Sequence, residues 1–430
     1  MFQGFLENLT ITNTESISLR YGELTAALNK KFRETESKTN NSLQVGSFGR
    51  RTAINGISDL DMLYIMPKGK WEDYKNAGQL KLLGDVKDAI LERYPKTEVR
   101  VDRLVVTVTY SDFHIEVQPV FEEENQSYKY PDTKGEGSWK ITRPREEMSA
   151  IAEMDALKNS NLRRLCKMAR AWKNKNGVPL GGLLIDTLAY NFLESTSEYD
   201  SRSFLYYDWL SRDFFKYLSE LPEQSEYGAP GSNQRVKVRT KFQNRAKKAH
   251  KLCLEAIEAQ NKEQLNVNEK WKSIYGRPFP ASESLEKNSL KRWDDTEEFI
   301  EERFPVDIRY PMKIECRVTQ NGFMPRFLRE MLEKRYPLLA NKKLEFFITQ
   351  KPKLGHPLSV YWKILNRGEE ARRRNNIRGM ILEDEGKETR REHTDFRGDH
   401  LVECYIVSDG IVVARDKIDV PISENSQSHE

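Results

Sequence analysis

Two carboxylates one residue apart, Asp59 and Asp61, stand at the head of an apolar-rich run, LDMLYIMP at 60–67, which Pro67 stops. Read as a strand, this stretch alternates its side chains with period two. Both aspartates therefore point to one side and can share one site. A Gly46-Ser47-Phe48-Gly49 turn lies just upstream, after the strand-forming Leu43 and Val45. Before it, Ile17, Tyr21, Leu24, Leu28 and Phe32 recur at spacings of four and three, which predicts an amphipathic helix over 12–36. A second helix is expected over roughly 77–93. The β-branched segments VRVDRLVVTVTY (99–110) and FHIEVQPVF (113–121) then read as two strands joined by a tight turn at Ser111-Asp112.

From about 145 to 275 the pattern turns helical. Leu162, Leu165, Ala169 and Trp172 form one apolar stripe, LLIDTLAYNFLE (183–194) reads as a buried helix, and YYDWLSRDFFKYLSEL (206–221) as another. GAPGSN (228–233) is a loop, and 234–264 is expected to return to helix. Beyond Pro305 the signals are strands, IECRV, LEFFITQ, VYWKILN, HLVECYIV and GIVVARDKIDVPI, punctuated by proline and glycine. The reading is thus an α/β (α+β) core with a helical lobe over 1–275, a proline- and charge-rich linker over 276–305, and a small β-rich domain over 306–430. The 430 residues leave room for roughly two to three such units. The polar end, SENSQSHE, is expected to be disordered.

Composition removes several function classes. Hydrophobic residues make up 38% and charged residues 32%, a soluble globular balance, and the net charge of +4 is too small to argue for polyanion binding by itself. Cys166, Cys253, Cys316 and Cys404 are far apart and form no CxxC pair, so neither a zinc site nor a disulfide framework is expected. That usage fits a reducing cytoplasm. No apolar run approaches the roughly 18 residues that span a bilayer, and the N-terminus shows no secretory signal. The run RVKVRTKFQNRAKKAHK (235–251) holds eight lysines or arginines and no acidic residue. It reads first as a solvated helix face; a nucleic-acid activator is the less favoured reading.

The chemistry rests on Gly46-Ser47 followed by Asp59 and Asp61. Backbone N–H groups and a hydroxyl in a tight turn suit a phosphate. Magnesium takes oxygen ligands and commonly bridges carboxylates to substrate phosphates. Glu116 is the candidate third carboxylate: its neighbours Ile115 and Val117 are apolar, so Glu116 faces the other way, toward a cleft. Three such carboxylates would suit two Mg²⁺ or Mn²⁺ ions about 4 Å apart.

GSFGRRT, SDLDMLYIMP and HIEVQPVF in this order resemble the polymerase-β-like nucleotidyltransferases, and most closely the cGAS/DncV-like branch that makes cyclic oligonucleotides. The family pattern falls here on Gly46-Ser47, on Asp59 and Asp61, and on Glu116 with Pro119; many members carry aspartate at the position of Glu116. LRRLCKMARAWKNKNG resembles the family helix that supplies a lysine to the triphosphate, which implies that role for Lys167. At about 100° per residue, Lys167 lies opposite the apolar stripe. EKWKSIYGRPF (269–279) resembles the end of the catalytic module. VYWKILNRGEEARRRNNIRGMI, HTDFRGDHLVECYIV and GIVVARD, within 310–422, resemble the C-terminal sensor domain that accompanies adenylyl/guanylyl-cyclase-like and SMODS nucleotidyltransferases; an Arg-Arg-Arg turn lies at 372–374.

The resemblance implies a cytoplasmic enzyme that joins NTPs into a cyclic di- or oligonucleotide and releases pyrophosphate. Catalysis and metal binding would fall to Asp59, Asp61 and Glu116, and NTP binding to Gly46, Ser47 and Lys167. The implied setting is bacterial anti-phage signalling, with a separate effector protein reading the product and an activator or small ligand at the C-terminal domain. A transferase acting on another acceptor, such as a small molecule, an RNA end or a protein, and a non-enzymatic nucleotide sensor are the competing readings. The sensor-like domain argues against the first, and the intact Asp59/Asp61 pair against the second. A chain ended near residue 300 is expected to keep its catalytic machinery.

Overall fold

The computed structural model describes residues 1–423 apart from 263, 265, 282–296, 320–323, 355, 367–378 and 395–397. The Arg-Arg-Arg segment, half of the expected linker (282–296) and the polar end from 424 onward lie outside the described residues. Two compact units emerge. One comprises Met1–Trp172 with Gly181–Pro280; the other comprises Lys173–Leu180 with Ala281–Glu430.

The first unit opens with helices α1 (Phe2–Asn8) and α2 (Thr14–Arg33). Strand β1 (Ser42–Gln44), the single-turn helix α3 (Gly46–Gly49) and strand β2 (Asp59–Ile65) follow. Then come α4 (Trp71–Tyr74), α5 (Gln79–Arg93), β3 (Glu98–Val101), β4 (Val106–Thr109), β5 (His114–Glu122), β6 (Tyr128–Asp132) and β7 (Ser138–Thr142). The sheet order is β1-β2-β5-β4-β3, with β6 and β7 extending from β5; β2 and β5 run parallel. Leu60, Met62 and Tyr64 of β2 and Ile115 and Val117 of β5 share a core with Ile17, Leu24 and Leu28 of α2 and Leu82, Val86 and Ile90 of α5. The two amphipathic helices thus cover one face of the sheet. Period-two alternation sends Asp59 and Asp61 to the other.

The expected strand over 99–110 is two strands. Asp102 breaks it: its N–H donates to Val105 O (2.9 Å), and its carboxylate accepts from Arg100 Nε (3.1 Å) and Thr107 Oγ1 (2.6 Å). A short polar side chain that bonds its own neighbourhood favours a turn over a ladder.

The helical lobe contains α6 (Pro144–Leu157), α7 (Asn161–Asn176), α8 (Gly182–Glu194), α9 (Tyr207–Glu220), α10 (Gln243–Asn261) and α11 (Val267–Tyr275). The stripe Leu162, Leu165, Ala169 and Trp172 is buried as expected. The expected helix over 234–264 begins later. Residues Arg235–Lys237 form β9, paired with β8 (Glu226–Gly228), because basic and apolar residues alternate there with period two rather than 3.6. All eight basic side chains of that run are exposed. Helix α1, absent from the sequence reading, is held by the 269–279 motif: Phe2 meets Trp271 and Phe279 at centroid distances of 5.0 and 5.3 Å. Such edge-to-face contacts add to the burial of the rings.

The second unit is a β-sandwich. It contains α12 (Ile300–Arg303), β10 (Lys313–Thr319), β11 (Arg326–Phe327), α13 (Leu328–Glu333), β12 (Leu338–Leu339), β13 (Lys343–Gln350), β14 (Ser359–Leu365), β15 (Ile381–Glu383), β16 (Thr389–His393), β17 (Gly398–Ser408) and β18 (Ile411–Ser423). One sheet has the order β11-β10-β13-β16, the other β12-β18-β17-β14-β15. Ile314, Cys316, Leu344 and Phe346 from the first share a core with Trp362, Val402, Cys404 and Ile418 from the second. The described end of the expected linker is part of this unit: Ile300 is buried and Glu297 pairs with Lys363 at 2.8 Å.

The segment Lys173–Leu180 is also bonded within this unit. The Lys173 ammonium pairs with Asp307 and donates to Ile308 O (3.2 Å), and Asn174 Nδ2 donates to Val306 O (2.7 Å). A chain ended near residue 300 would strip the buried Lys173 and the half-buried Asn174 of these partners. Against the sequence expectation, such a chain should be destabilised by several kcal/mol, because breaking one buried ion pair alone costs about 3–5 kcal/mol. Thermal unfolding of the two chains tests this; equal midpoints would contradict it.

Candidate active site

The face of the sheet left open by α2 and α5 carries the acidic residues. In the parallel pairing of β2 with β5, Asp61 stands opposite Glu116 and Asp59 opposite His114. Register-matched neighbours project from the same face, about 4.8 Å apart in the backbone. The row continues across the sheet: Glu116 faces Thr107 on β4, and Thr107 faces Arg100 on β3. One line across four strands thus reads Asp61, Glu116, Thr107, Arg100. The sequence reading singled out the first two and missed His114, Thr107 and Arg100. His114 lies two residues before Glu116, and the same alternation marks it.

The Gly-Ser turn is set directly against this row. Val45 N–H donates to Asp61 O (3.0 Å), extending the β1–β2 ladder. Gly46 then has φ +63°, and a Cβ built on it would lie 1.7 Å from Asp61 Oδ2. No side chain fits there, so glycine is required both by conformation and by contact. Ser47 is half-buried in the single helical turn that follows, and its carbonyl accepts from the N–H groups of Thr52 (2.9 Å) and Ala53 (3.1 Å).

A buried carboxylate braces the next residues. Asp186 on α8 is fully buried; it accepts from Arg50 Nε (2.8 Å), Thr52 Oγ1 (2.9 Å) and Arg170 Nη1 (2.6 Å). Burial alone would raise its pKa, but the guanidiniums of Arg170 and Arg50 outweigh burial and hold it at about 2. Arg50 also lies 3.6 Å from Glu147, which accepts from Ser232 Oγ (3.1 Å). Arg50 and Thr52 belong to the GSFGRRT motif, but their partner Asp186 lies more than 130 residues away in the chain, so no local pattern announces the cluster.

Lys167 is half-buried on α7. It lines a cavity of about 1150 Å³ with Tyr21, Gln44, Gly49, Arg51 and Met148; Asp59, Asp61 and Glu116 are not among the lining residues. Burial and the neighbouring Arg163 lower its pKa. The structure therefore brings Gly46, Asp59, Asp61 and Glu116 together and sets Lys167 in the wall of a cavity that Phe48 and Gly49 of the Gly-Ser turn also line.

The donor set suits a hard cation: carboxylate oxygens on one face, beside a turn that can receive phosphate. Among the described residues, no three His, Cys, Asp or Glu side chains already converge on one point. The shared face comes from backbone register, and neighbouring carboxylates repel one another.

Family models match at both ends of the chain. The Second Messenger Oligonucleotide or Dinucleotide Synthetase domain matches residues 1–155, and the Adenylyl/Guanylyl and SMODS C-terminal sensor domain matches 294–423. The chain belongs to the cGAS/DncV-like nucleotidyltransferases. A probable cyclic nucleotide synthase of Bacillus cereus is 23% identical, over 55% of this chain and 82% of that protein. Solved structures that resemble the chain include E. coli CdnC in complex with a HORMA protein (15% identity, 64% of this chain and 96% of that one, TM-score 0.49). Another is apo DncV of Vibrio cholerae (16% identity, 56% and 69%, TM-score 0.45). As a cGAS/DncV-like nucleotidyltransferase the chain is an enzyme of the cyclic nucleotide synthase family. Among its described residues no helix is long and apolar enough to cross a membrane.

Proposed function

We propose that this nucleotidyltransferase uses Mg²⁺ or Mn²⁺, as two ions, to join NTPs into a cyclic di- or oligonucleotide with release of pyrophosphate. The observation that carries the reading is the register of Asp61 with Glu116 beside Gly46, where any Cβ would displace the Asp61 carboxylate. Asp59, Asp61 and Glu116 would hold the ions. Such ions, when bound, lower the pKa of an attacking ribose hydroxyl and neutralise charge on the leaving pyrophosphate. Gly46 and Ser47 would position the triphosphate through backbone N–H groups and a hydroxyl, and Lys167 would add a point charge. The setting that fits is cytoplasmic anti-phage signalling in a bacterium, with a separate effector reading the product and the C-terminal domain answering to an activator or small ligand. Incubating the protein with all four NTPs and Mg²⁺ or Mn²⁺, followed by phosphatase and mass spectrometry, tests it. A linear or acceptor-linked product would favour a transferase of another kind.

Two substitutions separate the roles. Glu116→Gln should lower turnover by roughly a hundredfold or more while NTP binding persists through Asp59 and Asp61. Normal turnover would move the third carboxylate elsewhere. Lys167→Ala should raise KM for NTPs by roughly tenfold to a hundredfold, the value of one hydrogen bond to a charged group. Unchanged kcat and KM would leave Lys167 to the cavity it lines.

A further inference from the structure

The sheet β11-β10-β13-β16 buries one face in the sandwich core and leaves the other open. On the open face, directly opposed residues form a row across all four strands: Phe327, Arg317, Glu345 and Arg391. The next row places Phe347 between Glu315 and Thr389. Phe327 is 44% exposed, and its ring lies 6.3 Å from that of Phe347 at 59°. The Arg317 guanidinium sits 5.7 Å from the Phe347 centroid.

Two aromatic rings on an open sheet face are out of place as core and costly as bare surface. The charges around them are organised as well. Glu345 accepts from Arg391 through both Nε (3.1 Å) and Nη2 (3.0 Å) on one oxygen, and pairs with Arg317 Nη1 (3.1 Å) on the other. One carboxylate thus fixes two guanidiniums, and each guanidinium has five donors, more than these contacts use. The second carboxylate, Glu315, is turned to the backbone and accepts from the N–H groups of Cys316 (2.8 Å) and Arg329 (3.2 Å). Lys343 and His393 flank the row on the same face.

Preorganised guanidiniums beside one exposed ring, Phe327, and one half-buried ring, Phe347, match a ligand that is planar at one end and anionic at the other. We propose that this face binds a nucleotide, with the base stacked on Phe327 and Phe347 and the phosphate held by Arg317 and Arg391. Bases stack on aromatic side chains and guanidinium planes whatever their identity, and arginine matches phosphate with paired N–H donors. The ligand is a free nucleotide or a nucleotide within a single strand. The site lies wholly in the C-terminal unit and does not depend on the catalytic reading.

The test uses the full chain in EDTA, where a metal-dependent triphosphate site is silent. Fluorescent AMP and a labelled oligouridylate about ten nucleotides long are titrated, and anisotropy is read. Binding of either probe is expected, weakened tenfold or more in Phe327→Ala/Phe347→Ala and in Arg391→Glu. Arg391 has 81% of its side chain exposed, so the second variant costs the sheet only a surface ion pair and a like-charge contact with Glu345, and its fold is checked by thermal unfolding. Preference for the oligomer by more than tenfold identifies a strand as the source, and equal affinity identifies the free nucleotide. The proposal is overturned if neither probe binds at about 1 mM, if both variants bind as the parent does, or if a polyglutamate peptide binds equally well. Product formation from NTPs with metal, measured on the same variants, should be unchanged; its absence from the parent chain would count against the catalytic reading alone.

Discussion

Changing Asp59 and Asp61 together to asparagine is expected to abolish product formation, with a loss of at least about a thousandfold, equivalent to about 4 kcal/mol in the barrier. The two side chains share one face of β2, and Asp61 also lies against Gly46 and beside Glu116. Asparagine keeps the shape and removes the charge that would draw a divalent cation. The fold should survive. Clustered carboxylates repel, so stability without metal should be unchanged or slightly raised. Phosphatase-treated reactions analysed by mass spectrometry supply the first measurement and urea unfolding the second. Full activity in the double variant would move the metal site off this strand.

Replacing Asp186 by alanine should have the largest effect on stability, about 3–5 kcal/mol. That is a large part of the roughly 5–15 kcal/mol by which domains are stable. The change leaves Arg50 and Arg170 buried, 4% and 5% exposed, without the carboxylate that compensates them. The Asp186 pKa is depressed from 3.8 to about 2 in the folded state. Its contribution is therefore complete above pH 3.8 and is lost as the pH falls through about 2. Urea midpoints for the parent and Asp186→Ala should differ widely at neutral pH and converge in strong acid. A neutral-pH difference below about 1 kcal/mol would show that the guanidiniums find other partners. Because Arg50 and Thr52 follow the Gly-Ser turn, a milder change, Asp186→Asn, should disturb that turn before it unfolds the chain.

Much of this was readable without coordinates, and for a local reason. Periodicity is a property of neighbouring residues, so α2, α5, the buried stripe of α7 and the apolar strands of the sandwich follow from spacing alone. The common face of Asp59 and Asp61 follows from two-residue alternation, and so does the direction of Glu116. The failures were also local in kind. The basic run at 235–241 alternates with period two although a helix follows it directly, and Asp102 makes a turn inside an otherwise β-branched stretch.

Sequence by itself determined which residues lie on which side of each element and which motifs bring the phosphate-binding turn before the carboxylate pair. Tertiary structure alone decided the register that sets Glu116 beside Asp61, because strand pairing joins residues more than fifty positions apart and no local pattern encodes it. It alone assembled Asp186 with Arg50, Thr52 and Arg170, since a buried carboxylate is tolerable only where distant cations are packed against it. It alone assigned Lys173–Leu180 to the C-terminal unit. Lys173 and Asn174 look like ordinary solvated residues until Asp307 and Val306, far along the chain, supply the partners that let the first be buried and the second half-buried.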